Sequence, residues 1–333
     1  MAEMSPVLIL TIVLAIIFDF LNGVHDSSNI VATMISSRAF SPRVALGATA
    51  IAEFAGPFIF GVAVATTIGH DVVAAESITM IVLIVALFSA IIWNLLTWFL
   101  GIPSSSSHAL IGGMMGAVSM SVGWRSVQVA GIQKIFLALF ISPVIGLLLG
   151  YLFTKIIFFL ARGASPKING FFKKSQILTA IALALSHGTN DAQKTMGIIT
   201  LGLVTAGVIP SFEVPLWVIA VSAGAISLGT AMGGWRLIKT LGSKFYKIRP
   251  VHGFSSQLTS AFVILGASVV GGPVSTTQVV SSAIMGVGSA DRAKMVRWRM
   301  AKDIAVAWIV TIPATAGIAA GLFLLLDRIL ELS

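Results

Sequence analysis

The sequence predicts an all-α polytopic membrane protein made of two inverted-topology repeats of about five spans each, with broken or re-entrant helices. Three observations predict it. The chain is 57% hydrophobic and only 10% charged, with a mean hydropathy of +1.00, whereas soluble domains carry roughly 25% charged residues. A polar stretch, Asn22-Gly23-Val24-His25-Asp26-Ser27-Ser28-Asn29, returns as His187-Gly188-Thr189-Asn190-Asp191-Ala192-Gln193-Lys194, 165 positions later by its acid. The basic residues, finally, fall into alternate loops.

Taken in order, apolar runs of about 20 residues, enough to cross a bilayer, lie near 5–36, 44–69, 77–100, 104–123 and 135–158. A second set lies near 176–207, 214–236, 254–271, 274–290 and 303–326. Met4–Phe20 lacks a basic leader and runs straight into the polar stretch, so it reads as a span and not as a signal peptide. The first span of each half, about 32 residues, exceeds one crossing and is expected to break or re-enter at its polar stretch. Glu53 sits within the second span with no basic residue within a few turns. Trp93, Trp98, Trp124 and Trp217 read as interfacial anchors. The fourth span opens with Pro103-Ser104-Ser105-Ser106-Ser107-His108, the ninth with Pro273-Val274-Ser275-Thr276-Thr277-Gln278, an offset of 170. Lys134…Ser142-Pro143 is matched by Lys302…Ile312-Pro313, at offsets of 168 and 170. Residues 1–158 therefore form the first repeat, 159–175 a basic cytoplasmic linker and 176–333 the second repeat.

Lys and Arg fix the expected orientation. The loops after spans one, five, seven and nine hold 17 of the 21 basic residues. Basic loops face the cytoplasm, which places both termini outside a multi-pass protein of the cell membrane. It also requires an odd number of spans per half, so the second half is upside down relative to the first. The net charge of +9 thus records orientation, and no nucleic-acid partner is implied. The absence of cysteine excludes disulfides, thiolate metal sites and Cys nucleophiles, and no cofactor is expected.

A carboxylate in hydrocarbon costs roughly 2.5–3.5 kcal/mol on insertion scales, so each buried acid needs a partner or a task. Paired Gly-interrupted segments in two halves of a chain are the best sequence pointer to a transporter's binding site. A broken membrane helix exposes N–H groups carrying about half a positive charge, a natural anion site. Four such starts are expected: after Asp26, after Asp191, at Ser104–Ser107 and at Ser275–Thr277. Their hydroxyls can cap the helices and also donate to an anion. Asp26 and Asp191 would repel that anion unless a cation sat between them, which suggests cotransport of an oxyanion with Na⁺ or H⁺. The blander reading is that Ser and Thr bond back to their own helices, the glycines serve helix packing, and His25 and His108 are polar packing residues.

These residues resemble the signatures of the inorganic phosphate transporter (PiT) family, and the likeness runs over essentially the whole chain. It is carried by Asn22–Asn29, Ser186–Lys194 and Gly272-Pro273-Val274-Ser275-Thr276-Thr277. The first motif looks like the bacterial low-affinity branch. The resemblance implies phosphate uptake coupled to a cation, with Asp26 and Asp191 at the centre. It also implies coupling roles for Asn22, Asn190, Glu53 and His187, and phosphate contacts from Asn29, Ser104, Ser105, Ser106, Ser107, Ser275, Thr276 and Thr277. Two positions depart from relatives. Gln257 stands where some carry a Glu, and Lys194 replaces an Asn, so that it offsets an acid or touches phosphate. The branch favours H⁺ over Na⁺ as the coupling ion, and no metal is expected beyond Na⁺ at Asp26 and Asp191.

The expected mechanism is alternating access, one repeat rocking against the other around a midplane site. The same fold carrying sulfate, arsenate or a metal–phosphate complex is the nearest alternative. An intramembrane hydrolase or a channel is the alternative from another class, although the candidate groups occur in two symmetric copies, which catalysis does not need. A homo-oligomer is compatible with all of these.

Overall fold

The structure, a computed structural model, describes residues 5–70, 78–123, 129–243 and 247–330. Trp124, Arg125 and Lys244 lie outside the described residues. The described chain is helical throughout: α1 (Pro6–Ser36), α2 (Pro42–Phe60), α3 (Ala63–His70), α4 (Met80–Leu100), α5 (Ser106–Ser121), α6 (Val129–Leu160), α7 (Ile168–Thr205), α8 (Leu216–Met232), α9 (Trp235–Ser243), α10 (Pro250–Val269), α11 (Thr276–Arg292) and α12 (Trp298–Leu330). Five of them, α1, α2, α4, α6 and α12, are long and apolar enough to cross a membrane, and bent α8–α9 makes a sixth. The outward faces of α6 and α12 expose Leu137, Leu148, Ile309 and Leu325, the surface a hydrocarbon solvent requires. The irregular link between the halves is shorter than 159–175, because α7 already begins at Ile168.

One expectation fails. Neither α1 nor α7 breaks at its polar stretch: α1 runs unbroken for 31 residues and α7 for 38. The helix starts expected after Asp26 and after Asp191 do not exist. The glycines there serve contact instead. A Cβ on Gly23 would stand 2.0 Å from the carbonyl oxygen of Ile226, and one on Gly188 would stand 2.1 Å from that of Glu53. A glycine inside a helix costs only about 1 kcal/mol, and close backbone approach offsets it.

The chain breaks elsewhere, at positions where glycine adopts positive φ. Gly61 (φ 82°) ends α2 and Gly233 (φ 76°) ends α8, and α8 and α9 meet at 73°. Gly101 and Gly271, also at positive φ, open the two Pro-containing loops that separate α4 from α5 and α10 from α11. Side chains repair these breaks. Gln193 of α7 donates to Gly61 O (2.5 Å) and accepts from Val64 N (2.7 Å) and Ala65 N (3.1 Å). Ser27 of α1 accepts from Gly234 N at 2.7 Å.

Packing is reciprocal between the halves. α1 lies along α8 and α7 along α2; α5 lies along α12 and α11 along α6. Each pair closes over small residues: Gly112 and Gly116 against Ile312 and Ala316, Gly146 and Gly150 against Val279 and Ala283. The main partner of each short helix thus belongs to the other half of the chain. α1 and α7 run antiparallel past each other. Leu8 sits by Gly202, His187 by Asp26, and Ser37 by Gln176.

Candidate functional site

The antiparallel passage of α1 and α7 brings Asp26 and Asp191 together. Both are at most 1% exposed. The Thr276 hydroxyl stands 2.9 Å from Asp191 Oδ2 and 3.2 Å from Asp26 Oδ2, bridging the two acids. Thr277 donates to Asp26 Oδ1 at 2.9 Å and accepts from Asn29 Nδ2 at 3.0 Å. Both threonines occupy the first turn of α11, whose N-cap is Ser275. His25 Nδ1 lies 3.0 Å from Asp26 Oδ1.

His187, one turn before Asp191, stands among three carboxylates. Its Nδ1 is 2.5 Å from Glu53 Oε1, and its Nε2 is 3.2 Å from Asp191 Oδ2 and 3.6 Å from Asp26 Oδ2. The Nδ1 contact with Glu53 is a hydrogen bond, whereas Nε2 faces the two aspartates outside hydrogen-bond geometry. Ligand atoms of Asp26, His187 and Asp191 all lie within 4.8 Å of one another, close enough to share a cation. With His187 neutral, the three acids leave room for that ion; with it charged, the ring takes much of the ion's part.

Lys194, one turn beyond Asp191, is fully buried. Its ammonium pairs with Asp191 Oδ1 and donates to Ser107 Oγ (2.5 Å) and to the Val274 carbonyl (3.2 Å). Ser107 in turn donates to Val274 O at 3.3 Å. The starts of α5 and α11 therefore meet tip to tip across Lys194, and His108 Nε2 faces Gln278 Nε2 at 3.3 Å. By helix geometry the first-turn amides at each tip have no intrahelical acceptor, so two partial positive ends converge on one ammonium.

The structure thus gathers Asp26, Asp191, His187, Glu53, Lys194, Asn29, Ser107, Thr276 and Thr277. The remaining candidates stand outside these contacts. Ser104 donates to Thr97 (2.8 Å). Ser105 and Ser275 cap α5 and α11 through His108 N and Gln278 N. Ser106 is buried in the first turn of α5. Asn190 binds Ser268 and Gly272 O. Gln257 accepts from Thr179 at 2.7 Å, twelve residues or about 18 Å of helix away from Asp191. Asn22 is buried with neither amide atom hydrogen-bonded. Sequence reasoning missed Asp19, an acid in the apolar run seven residues before Asp26, which the test applied to Glu53 would have caught. It also missed the helix-mending role of Gln193.

The pattern of the phosphate transporter family matches residues 22–319. A protein of Bacillus subtilis (strain 168), named "Probable low-affinity inorganic phosphate transporter", is 44% identical over 98% of this chain and 100% of its own length. One of the same name from Rhizobium meliloti (strain 1021) is 42% identical over 95% of both chains. A solved structure named "The sodium-dependent phosphate transporter" superposes with a TM-score of 0.88, at 26% identity, covering 98% of this chain and 100% of that one. A match of that breadth, on a chain whose two motif helices meet at their buried acids, makes this protein a member of the phosphate transporter family.

Proposed function

We propose that the protein imports inorganic phosphate across the cell membrane by symport with a cation, through alternating access of two inverted repeats, 1–158 and 176–333. Membership in a transporter family leaves no place for the intramembrane hydrolase. The observation that carries the reading is the bridged pair Asp26–Thr276–Asp191 beside Lys194 and the two helix tips. Anion donors and acids share one buried cluster. Even with Lys194 and His187 both charged, Asp26, Asp191 and Glu53 leave the centre one negative charge in excess. A phosphate entering it adds more, so the loaded chamber can close only if cations enter too. In this reading Lys194, Ser107, Asn29, Thr276, Thr277 and the tip amides hold phosphate, while Asp26, Asp191, His187 and Glu53 hold the cation.

The proton is the favoured cation, because Lys194, and His187 when protonated, would supply positive charge that a metal ion would otherwise bring. Na⁺ is the second reading, supported by the sodium dependence in the name of the structural neighbour and by the three-ligand geometry of Asp26, His187 and Asp191. The antiparallel passage of α1 and α7 supports the inverted repeat, and the basic loops support external termini. The experiment is radiolabelled phosphate uptake into proteoliposomes under separately imposed H⁺ and Na⁺ gradients. Uptake driven by a pH gradient without Na⁺ is expected, and strict Na⁺ dependence would refute proton coupling. Sulfate and arsenate as competitors test the cargo.

A further inference from the structure

Asp19 has no role in the site above, yet it is an acid fully buried without a hydrogen bond. It is completely buried in α1, between Phe18 and Phe20. Neither carboxylate oxygen has a hydrogen-bond partner among the described residues. The Thr195 hydroxyl of α7 lies beside it, outside hydrogen-bond geometry and itself without a partner. Asp19 is two turns along α1 from Asp26 and Thr195 one turn along α7 from Asp191, so this pair continues the line of the two bridged acids. The charged groups that reach it are Asp191, Glu53 and Lys194. Lys194 spends its ammonium on Asp191, Ser107 and Val274 O. α4 and α8, which pack against α1, carry no ionisable side chain. α9 brings Arg236 and Lys239 to α1 beyond Ser27, and His252, Asp291 and Arg292 of α10 and α11 belong to the Ser37 end, beside Gln176.

An ionised carboxylate in that position would be a buried, unpaired charge, which costs several kcal/mol. A proton removes the charge using a single oxygen. A desolvated Na⁺ would need several converging oxygens, and one carboxylate and one hydroxyl are what stand there. The site is also not duplicated: at the motif's offset of 165 the second half has Ala184, likewise buried. Asp19 thus lies outside the duplicated motif that supplies Asp26 and Asp191.

We infer that Asp19 is a proton-carrying site of the transport cycle, neutral as the carboxylic acid while it is buried as in this structure. It gives its proton to water when one open state wets the α1–α7 seam, and takes one up from the other side. The step is COOH to COO⁻ plus H⁺, with no other reactant. The inference rests on the phosphate-transport reading.

Asp19→Asn mimics the protonated acid and tests it in proteoliposomes. Phosphate-for-phosphate exchange without a gradient should stay within about twofold of wild type, while accumulation driven by a pH gradient falls at least tenfold. Asp19→Glu should restore part of that accumulation. Wild-type accumulation by Asp19→Asn overturns the proposal, as does loss of a Na⁺ response with the pH response intact. Failure of wild type to exchange phosphate at all would instead sink the transport reading. A measurement independent of the variant's folding is infrared spectroscopy of purified wild type. A protonated buried carboxyl at neutral pH is expected, and its absence overturns the proposal.

Discussion

Lys194 shows how a single side chain sets the electrostatics of the centre. It is a fully buried ammonium whose nearest acid is Asp191, and removing one member of a buried ion pair costs about 3–5 kcal/mol. Lys194→Met should therefore lower the thermal unfolding midpoint in detergent and abolish phosphate uptake. Adding Asp191→Asn to it should recover much of the midpoint but none of the uptake, because neighbouring residues couple. Asp26→Asn should insert normally and lose coupled uptake; normal uptake by that variant would remove Asp26 from the mechanism. Asp26, Asp191, Glu53 and Lys194 were legible in the sequence because charges inside apolar runs are costly. Asp19 obeys the same rule but lies outside the duplicated polar motif, in an apolar run before Asn22. The partners of Gln257 and Asn190 were not legible, since a one-dimensional pattern does not say which helix faces which.

At the level of helices, the glycines of the polar motifs are contact surfaces. Gly23→Ala and Gly188→Ala each place a methyl about 2 Å from a backbone oxygen, so α1 must move off α8, or α7 off α2. A loss of about 1–3 kcal/mol or more is expected, read as reduced yield of folded protein. Gly224→Ala, with nothing within 4 Å, is the tolerated control. Gln193→Ala strips two amides and a carbonyl of their partner at the α2–α3 junction. It should cost about 1–3 kcal/mol for the groups left unsatisfied, with hydrogen exchange accelerating first at Val64 and Ala65. The reading of Gly plus acid as a helix break erred for the same reason. Glycine permits a break but does not compel one, and here tertiary contact kept the helix whole.

For the molecule as a whole, the α5 and α11 tips meet at Lys194, and the proposed alternating access requires them to part. The chain has no cysteine, so a double variant His108→Cys/Gln278→Cys introduces the only thiols at a pair of facing side chains. Cross-linking them should arrest uptake and reduction should restore it; uptake that continues through a cross-linked tip would show that the tips need not part. Length and hydropathy carried the all-helical membrane class, and the paired motifs pointed to the two helices that bring Asp26 and Asp191 together. They did not carry the exchange of partners, because neither periodicity nor charge records that α5 lies on α12 and α6 on α11. That exchange has a consequence for biosynthesis. The ribosome releases α5 long before the final 33-residue helix that covers its glycine face, so the first half leaves the translocon unfinished. Its Gly112–Gly116 surface must be shielded by lipid or an insertion chaperone until translation ends. A nascent chain stalled before Trp298 should then be protease-sensitive around α5, and full-length chains should not.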